Sequence, residues 1–153
     1  MMTEKDKIRE CLVQILNDVK QMVLSTSNQN SPWCATVFFA FDSELNIYFF
    51  STSSRRHSKE IAVNKRVSGA VAREHKLDLE EKHRGVQFEG KCTLISNSEV
   101  NEAYDLLRKR FPSITKFHLL KDATKELYKI HVDKFVLFDT LNFPKDPRKE
   151  LQN

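Results

Sequence analysis

After one helical stretch near its start, this chain carries its apolar residues in short runs that follow one another across tight turns. That arrangement constrains the fold more than any single motif. Strands in hairpin succession pair antiparallel, whereas a doubly wound parallel sheet needs a helix between one strand and the next. The helical stretch comes first. Thr3 with Asp6 makes a weak capping-box start, and Ile8, Cys11, Leu12, Ile15, Leu16 and Val19 recur at the three-and-four spacing of one helix face. The spacing predicts a helix over about residues 4–20.

The strand-length runs then follow. Residues 22–26 read as a strand and residues 28–32 as a turn, while residues 33–41 form a long aromatic and β-branched run. A turn at Asp42, Ser43 and Glu44 leads to residues 47–51, so these two runs read as a hairpin. Both faces of the 33–41 run are apolar, which places it between the core and a helix, a ligand or another subunit. Residues 67–73 are strand-like. Val86, Phe88, Gly90, Cys92 and Leu94 alternate with Gln87, Glu89, Lys91 and Thr93, the pattern of a half-buried strand. Ser98 is placed to cap a second helix with Val100, Tyr104, Leu107 and Phe111 on one face, ended by Pro112. A short helix over residues 113–120 and two strands, 127–132 and 135–140, complete the regular elements. Residues 141–153 read as an irregular tail.

The expected architecture is mainly β with α. It is a six-stranded antiparallel barrel with flanking helices, one domain over residues 1–153. Three glycines, four prolines and eleven phenylalanines suit a packed core rather than a disordered chain.

Chemistry concentrates after residue 50. Ser51, Thr52, Ser53, Ser54, Arg55, Arg56, His57, Ser58 and Lys59 join a strand to the segment that continues with Glu60, Ile61 and Ala62. Helix starts favour acidic residues, because their unpaired N–H groups make that end positive. Cations and hydroxyls stand here instead, and an anion bound among them resolves the conflict; phosphate is the natural candidate. The bland alternative is a solvated basic helix start.

Other classes lack support. A net charge of +4, from 25 basic and 21 acidic residues, is too dispersed to imply nucleic acid, and the aromatics are not interleaved with basic residues. The histidines show no metal-ligand spacing, no Cys-x-x-Cys or glycine-rich phosphate loop occurs, and no serine sits in a nucleophile motif. Cys11, Cys34 and Cys92 read as buried free thiols of a reducing compartment. The charged N-terminus and the lack of a long apolar run point to the cytoplasm and away from membranes.

The order of elements resembles the FMN-binding split-barrel superfamily that includes pyridoxamine 5′-phosphate oxidase, and most closely a YhbP-like branch of it. The resemblance rests on Trp33-Cys34-Ala35 through Phe41-Asp42, Arg56-His57 through Asn64-Lys65-Arg66-Val67, Gly85 through Gly90, and Lys109-Arg110-Phe111-Pro112. It covers roughly residues 8–140. It implies a six-stranded split barrel, a homodimer, and FMN bound in the subunit interface as the redox group of an oxidoreductase. Arg56-His57 stand where the oxidases carry an Arg-Lys pair for the flavin phosphate, and Phe50-Ser51 stand at their Tyr-Thr strand end. Arg55 and Lys59 are added cations without a family counterpart. Cys34 and Phe39 occupy positions that are cationic in the oxidases, and the glutamine near the flavin ring falls on Gly85, with Gln87 two residues on. The resemblance names no catalytic acid or base. The alternative it leaves is a non-catalytic split-barrel module holding another anionic ligand. Residues 74–84 are a lid candidate in this setting.

Overall fold

In the computed structural model, which describes residues 1–75, 82–114 and 124–153, helix α1 runs over Glu4–Asp18. Both halves of the capping box form. The Asp6 amide donates to Thr3 Oγ1 at 3.1 Å, and the Thr3 amide and hydroxyl both donate to Asp6 Oδ2, at 3.0 and 2.7 Å. A shorter acid thus does what Glu does in the usual box, because Thr3 closes the gap with its own hydroxyl. Ile8, Cys11, Leu12, Ile15 and Leu16 form the buried stripe that α1 lays on the sheet.

Strands β1 (Gln21–Asn28) and β2 (Ser31–Phe38) pair with Asn28 opposite Ser31, leaving a two-residue turn. Gln29 and Asn30 take φ of 48° and 63°, the left-handed pair of a type I′ hairpin, whose twist matches that of the strands. This corrects the expected pairing of residues 33–41 with residues 47–51. Most of that run pairs with β1. Only β3 (Ala40–Phe41) pairs with β4 (Ile47–Thr52), and Phe39 lies between the two arrangements, fully buried. The run is apolar on both faces because its two ends serve different pairings.

Strands β5 (Arg66–Ala72), β6 (Arg84–Leu94), β7 (Lys125–Asp139) and β8 (Arg148–Gln152) complete one antiparallel sheet that has eight strands among the described residues, not six. The order is β2-β1-β5-β6-β7-β4-β3, with β8 added on β7. β7 is continuous where two strands were expected. Its pairing steps from Glu89↔Lys134 to Gly90↔Val132, so Asp133 is the extra residue of a bulge. Gly90 allows this crowding, since a Cβ there would stand 2.2 Å from the His131 carbonyl oxygen. β8 corrects the expectation of an irregular tail: it is five residues long, mostly charged, and buries only Leu151. A strand this short is specified by its partner's free edge more than by its own pattern. On β6 the alternation holds through Cys92, but Leu94 lies exposed beyond the covered part of the sheet.

Helix α3 (Val100–Arg110) starts from Glu99, not Ser98, and has no side-chain cap; the Ser96 hydroxyl donates to Glu99 Oε2 at 2.8 Å. At its other end Arg110 donates to the carbonyls of Leu16 and Val19, closing the C-terminus of α1, and lies 4.6 Å over the Phe39 ring. The expected apolar anchors at residues 77 and 79, and residues 115–120 of the expected short helix, lie outside the described residues. Among the described residues no helix is long and apolar enough to cross a membrane. The sheet curls so that β2 and β4 face one another without pairing, and the gap between them holds the site.

Candidate functional site

β4 delivers the chain to the gap, and helix α2 (Arg56–Val63) leads it away. The turn between them is held by two backbone bonds, Ser53 N–H to the Thr124 carbonyl at 2.8 Å and Arg55 N–H to the Thr52 carbonyl at 3.0 Å. Arg55 occupies the N-cap position, no side chain caps the helix, and its first turn holds no acid. The positive end of α2 therefore meets further positive charge. Two clamps fix the helix on β1. Glu60, in the second turn, accepts from Thr26 Oγ1 at 2.5 Å and Arg56 Nε at 2.8 Å, and Asn64 Nδ2 donates to the Ser27 carbonyl and hydroxyl, each at 3.1 Å. Those two donors, Thr26 first, hold the Glu60 carboxyl below its ordinary range.

A cleft of about 300 Å³ opens in the gap. Val37 and Phe38 of β2 and Phe50 and Ser51 of β4 line it, together with Arg55, His57 and Lys125. None of the described residues that line it is acidic. His57 is buried, and its Nε2 lies 2.7 Å from Ser51 Oγ. Burial pushes the imidazole below its ordinary value, and the Arg55 charge adds to this against the opposing pull of Glu60. At neutral pH the ring is therefore uncharged and orients the Ser51 hydroxyl. With two fixed cations, hydroxyls and an uncapped helix start, the cleft can hold an anion of phosphate type.

Four of the seven residues singled out in the sequence meet here: Phe50, Ser51, Arg55 and His57. The other three do not. Arg56 bonds Glu60 and, through Nη2, Ser31 Oγ at 3.1 Å, and its guanidinium lies 4.4 Å over the Trp33 ring. Successive residues of a helix point about 100° apart, so Arg56 and His57 are not equivalent even as neighbours. Lys59 lines a second cleft, of about 510 Å³, with Ser58, Lys65 and Tyr128. Gln87 is exposed on β6 and lines a groove of about 460 Å³ with Phe138, Arg148 and the stacked rings of His75 and His83. Lys125 was missed in the sequence. It sits opposite Thr52 in the β4–β7 pairing, and only the register brings it to the cleft.

The positions that are cationic in the oxidases diverge as well. Cys34, expected buried, is exposed, with its Sγ 3.3 Å from Ser25 Oγ. Trp33 and Phe38, expected in core or interface, are 42% and 47% exposed. β2 is the edge strand of the sheet, so much of its outer face has no cover in a single chain.

A curled antiparallel sheet with flanking helices is of the split-barrel class that the resemblance implied. The family model described as pyridoxamine 5′-phosphate oxidase matches residues 8–135. The chain belongs to this family. A UPF0306 protein of Yersinia pestis (strain Angola) is 30% identical over 81 residues, which are 52% of this chain and 54% of that protein. The chain thus matches about half the length of the curated relatives. A haem-binding protein from Mycobacterium smegmatis superposes with a TM-score of 0.79 at 12% identity, over 95% of this chain and 57% of that one. General stress protein 26 from Bacillus anthracis superposes at 0.67 with 22% identity, over 95% and 98%. At these identities the superpositions show the family's split-barrel fold and no more.

Proposed function

We propose that the chain is an FMN-binding protein of flavin oxidoreductase type that works as a homodimer. One observation carries the reading: Arg55, Lys125, Ser51 and His57 converge with the uncapped start of α2 on a cleft that has no acid among its described lining residues. These residues fit a phosphate ester. Arg55 and Lys125 supply charge, the Ser51 hydroxyl and the first N–H groups of α2 supply hydrogen bonds, and His57 holds Ser51 in place. Phe50 and Phe38 give apolar walls against which a flat ring can lie. When bound, FMN supplies hydride and electron chemistry, and the protein's part is grip, orientation and exclusion of water. Arg56 serves this site indirectly, by holding Glu60 and through it the seat of α2 on β1.

The homodimer is part of the proposal because the gap is open in one chain. Trp33 and Phe38 beside it, and Phe138 in the groove that holds Gln87, are large apolar side chains left exposed. A second copy that covers these faces would exclude water from the cleft and bring a second set of side chains over it.

A second reading keeps the fold and drops the redox role: a binding module for another anionic ligand, haem among them. The placement of Arg56 favours it, since one half of the expected phosphate pair is engaged by Glu60, Ser31 and Trp33. Titrating purified protein into FMN, with flavin fluorescence and visible absorbance as readouts, separates the two. Saturable quenching at one FMN per chain, weakened by Arg55→Ala, supports the first. Failure to quench FMN, with a haem absorbance band appearing on titration with haemin, supports the second and ends the first.

A further inference from the structure

We infer that the second cleft, also lined by α2, is a separate binding site for a small apolar monocarboxylate with a flat body. Its floor is apolar and buried: Ile61, Cys92 and Tyr128 are each 3% exposed or less, and Tyr128 is backed by Phe49 in a stack with centroids 4.9 Å apart. Leu94, 57% exposed, stands at the wall. The Ser58 hydroxyl is also buried in this floor beside the Tyr128 phenol, whose own O–H donates to Glu126 Oε2 at 2.6 Å and whose oxygen can accept from Ser58.

Charge sets the class of ligand. Lys59 and Lys65 line the cleft, are exposed, and form no ion pair among the described residues. Glu126 is the one acid among the described lining residues, and burial keeps Cys92 a neutral thiol, pushed up to about 12. Two lysines against one carboxylate leave a single positive charge, which suits a monoanion better than a phosphate dianion. An apolar floor of this kind takes a ring or a branched chain. The inference does not rest on the flavin reading: the second cleft shares no lining residue with the first.

The test uses the full chain, labelled on methyl groups and backbone amides, titrated with 1-naphthoate as probe and 1-naphthamide as its neutral counterpart. Saturable NMR shifts should centre on Ile61, Ala62 and the Ser58 amide. The neutral probe, and the double variant Lys59→Glu with Lys65→Glu, should each bind at least about tenfold more weakly, a loss of one favourable ion pairing. Three results would overturn the inference: no saturable shift, equal affinity for the acid and the amide, or shifts centred on Ser51 and Arg55. Both lysines are exposed, so the charge-reversed chain still folds and the comparison can always be read.

Discussion

Two arginines at different places in the sheet show what this fold does with positive charge. Arg84 opens β6 and is buried with every neighbour committed. Its Nε donates to Asp139 at 3.0 Å and its Nη2 to Gln14 at 2.9 Å. Asp139 also accepts from the Asn142 side chain at 2.8 Å and from the amides of Leu141 and Asn142, each at 3.0 Å. Arg55, in contrast, stands exposed at the end of an uncapped helix, and none of the described residues lining its cleft is acidic. The first arginine ties α1, β6 and the turn after β7 into one body. The second forms no ion pair among the described residues and is left for something outside the chain. In this molecule paired charge builds the frame, and unpaired charge marks where a ligand is expected.

The largest effect should come from breaking the paired region. Asp139→Ala leaves Arg84 buried without its partner and should cost about 3–5 kcal/mol, the usual penalty for stranding one half of a buried ion pair. Denaturant titration measures it, and a loss within about 0.5 kcal/mol, the range of neutral surface changes, would show that water or Gln14 suffices for Arg84. Burial alone would push the Asp139 carboxyl up, but Asn142 and Arg84 outweigh it and hold it low. Its contribution is therefore fully present above the unfolded carboxylate value and is lost as pH falls through the lower folded value. Acid should melt this end of the sheet.

The unpaired region should behave the opposite way. Arg55→Ala should leave stability unchanged within about 0.5 kcal/mol, as at ordinary surface sites. It should weaken FMN, or inorganic phosphate in competition with it, by about 1.5–3 kcal/mol, the range for a hydrogen bond to a charged group. A third variant sharpens the contrast. Arg56→Ala should cost stability by about 0.5–1 kcal/mol through its stacking on Trp33. It should weaken the ligand less than Arg55→Ala does. If Arg56→Ala proves the more damaging to binding, the oxidase pattern outranks the placement seen here and the guanidinium turns into the cleft on binding.

Much of the frame was legible in the sequence, and the reasons are particular. The stripe of α1 and the alternation from Val86 to Cys92 carry their own periods, so each could be read locally. The pairing of residues 33–41 could not, because an apolar run does not name its partner; the left-handed turn at Gln29 and Asn30 decides it. The bulge at Asp133 looked like a strand break because polar residues interrupt the pattern there. The site followed the same rule. Ser51, Arg55 and His57 were visible as a contiguous motif, whereas Lys125 reaches the cleft only through the β4–β7 register. The motif itself could not say which of its cations turn inward, since that depends on where the first turn of α2 begins.

The smallest expected effect concerns His57, which stands between the two regimes: buried like Arg84, but on the cleft that Arg55 lines. Its folded value lies below the ordinary 6.5 because burial and then Arg55 oppose the charged ring, while Glu60 favours it and Ser51 bonds it. A histidine with a depressed folded value binds fewer protons folded than unfolded. Stability is therefore full above about 6.5 and declines as pH falls toward the folded value. Ligand affinity should run the other way over the same window. An anion in the cleft favours the protonated ring, so lowering pH should tighten phosphate or FMN binding while loosening the free protein. His57→Gln keeps a hydrogen-bonding side chain beside Ser51 and should flatten both profiles. Calorimetric titration across this window, with thermal melts on the same samples, measures the two slopes together. If affinity and stability fall together as the pH drops, His57 belongs with the frame, like Arg84, and Arg55 and Lys125 hold the anion without it.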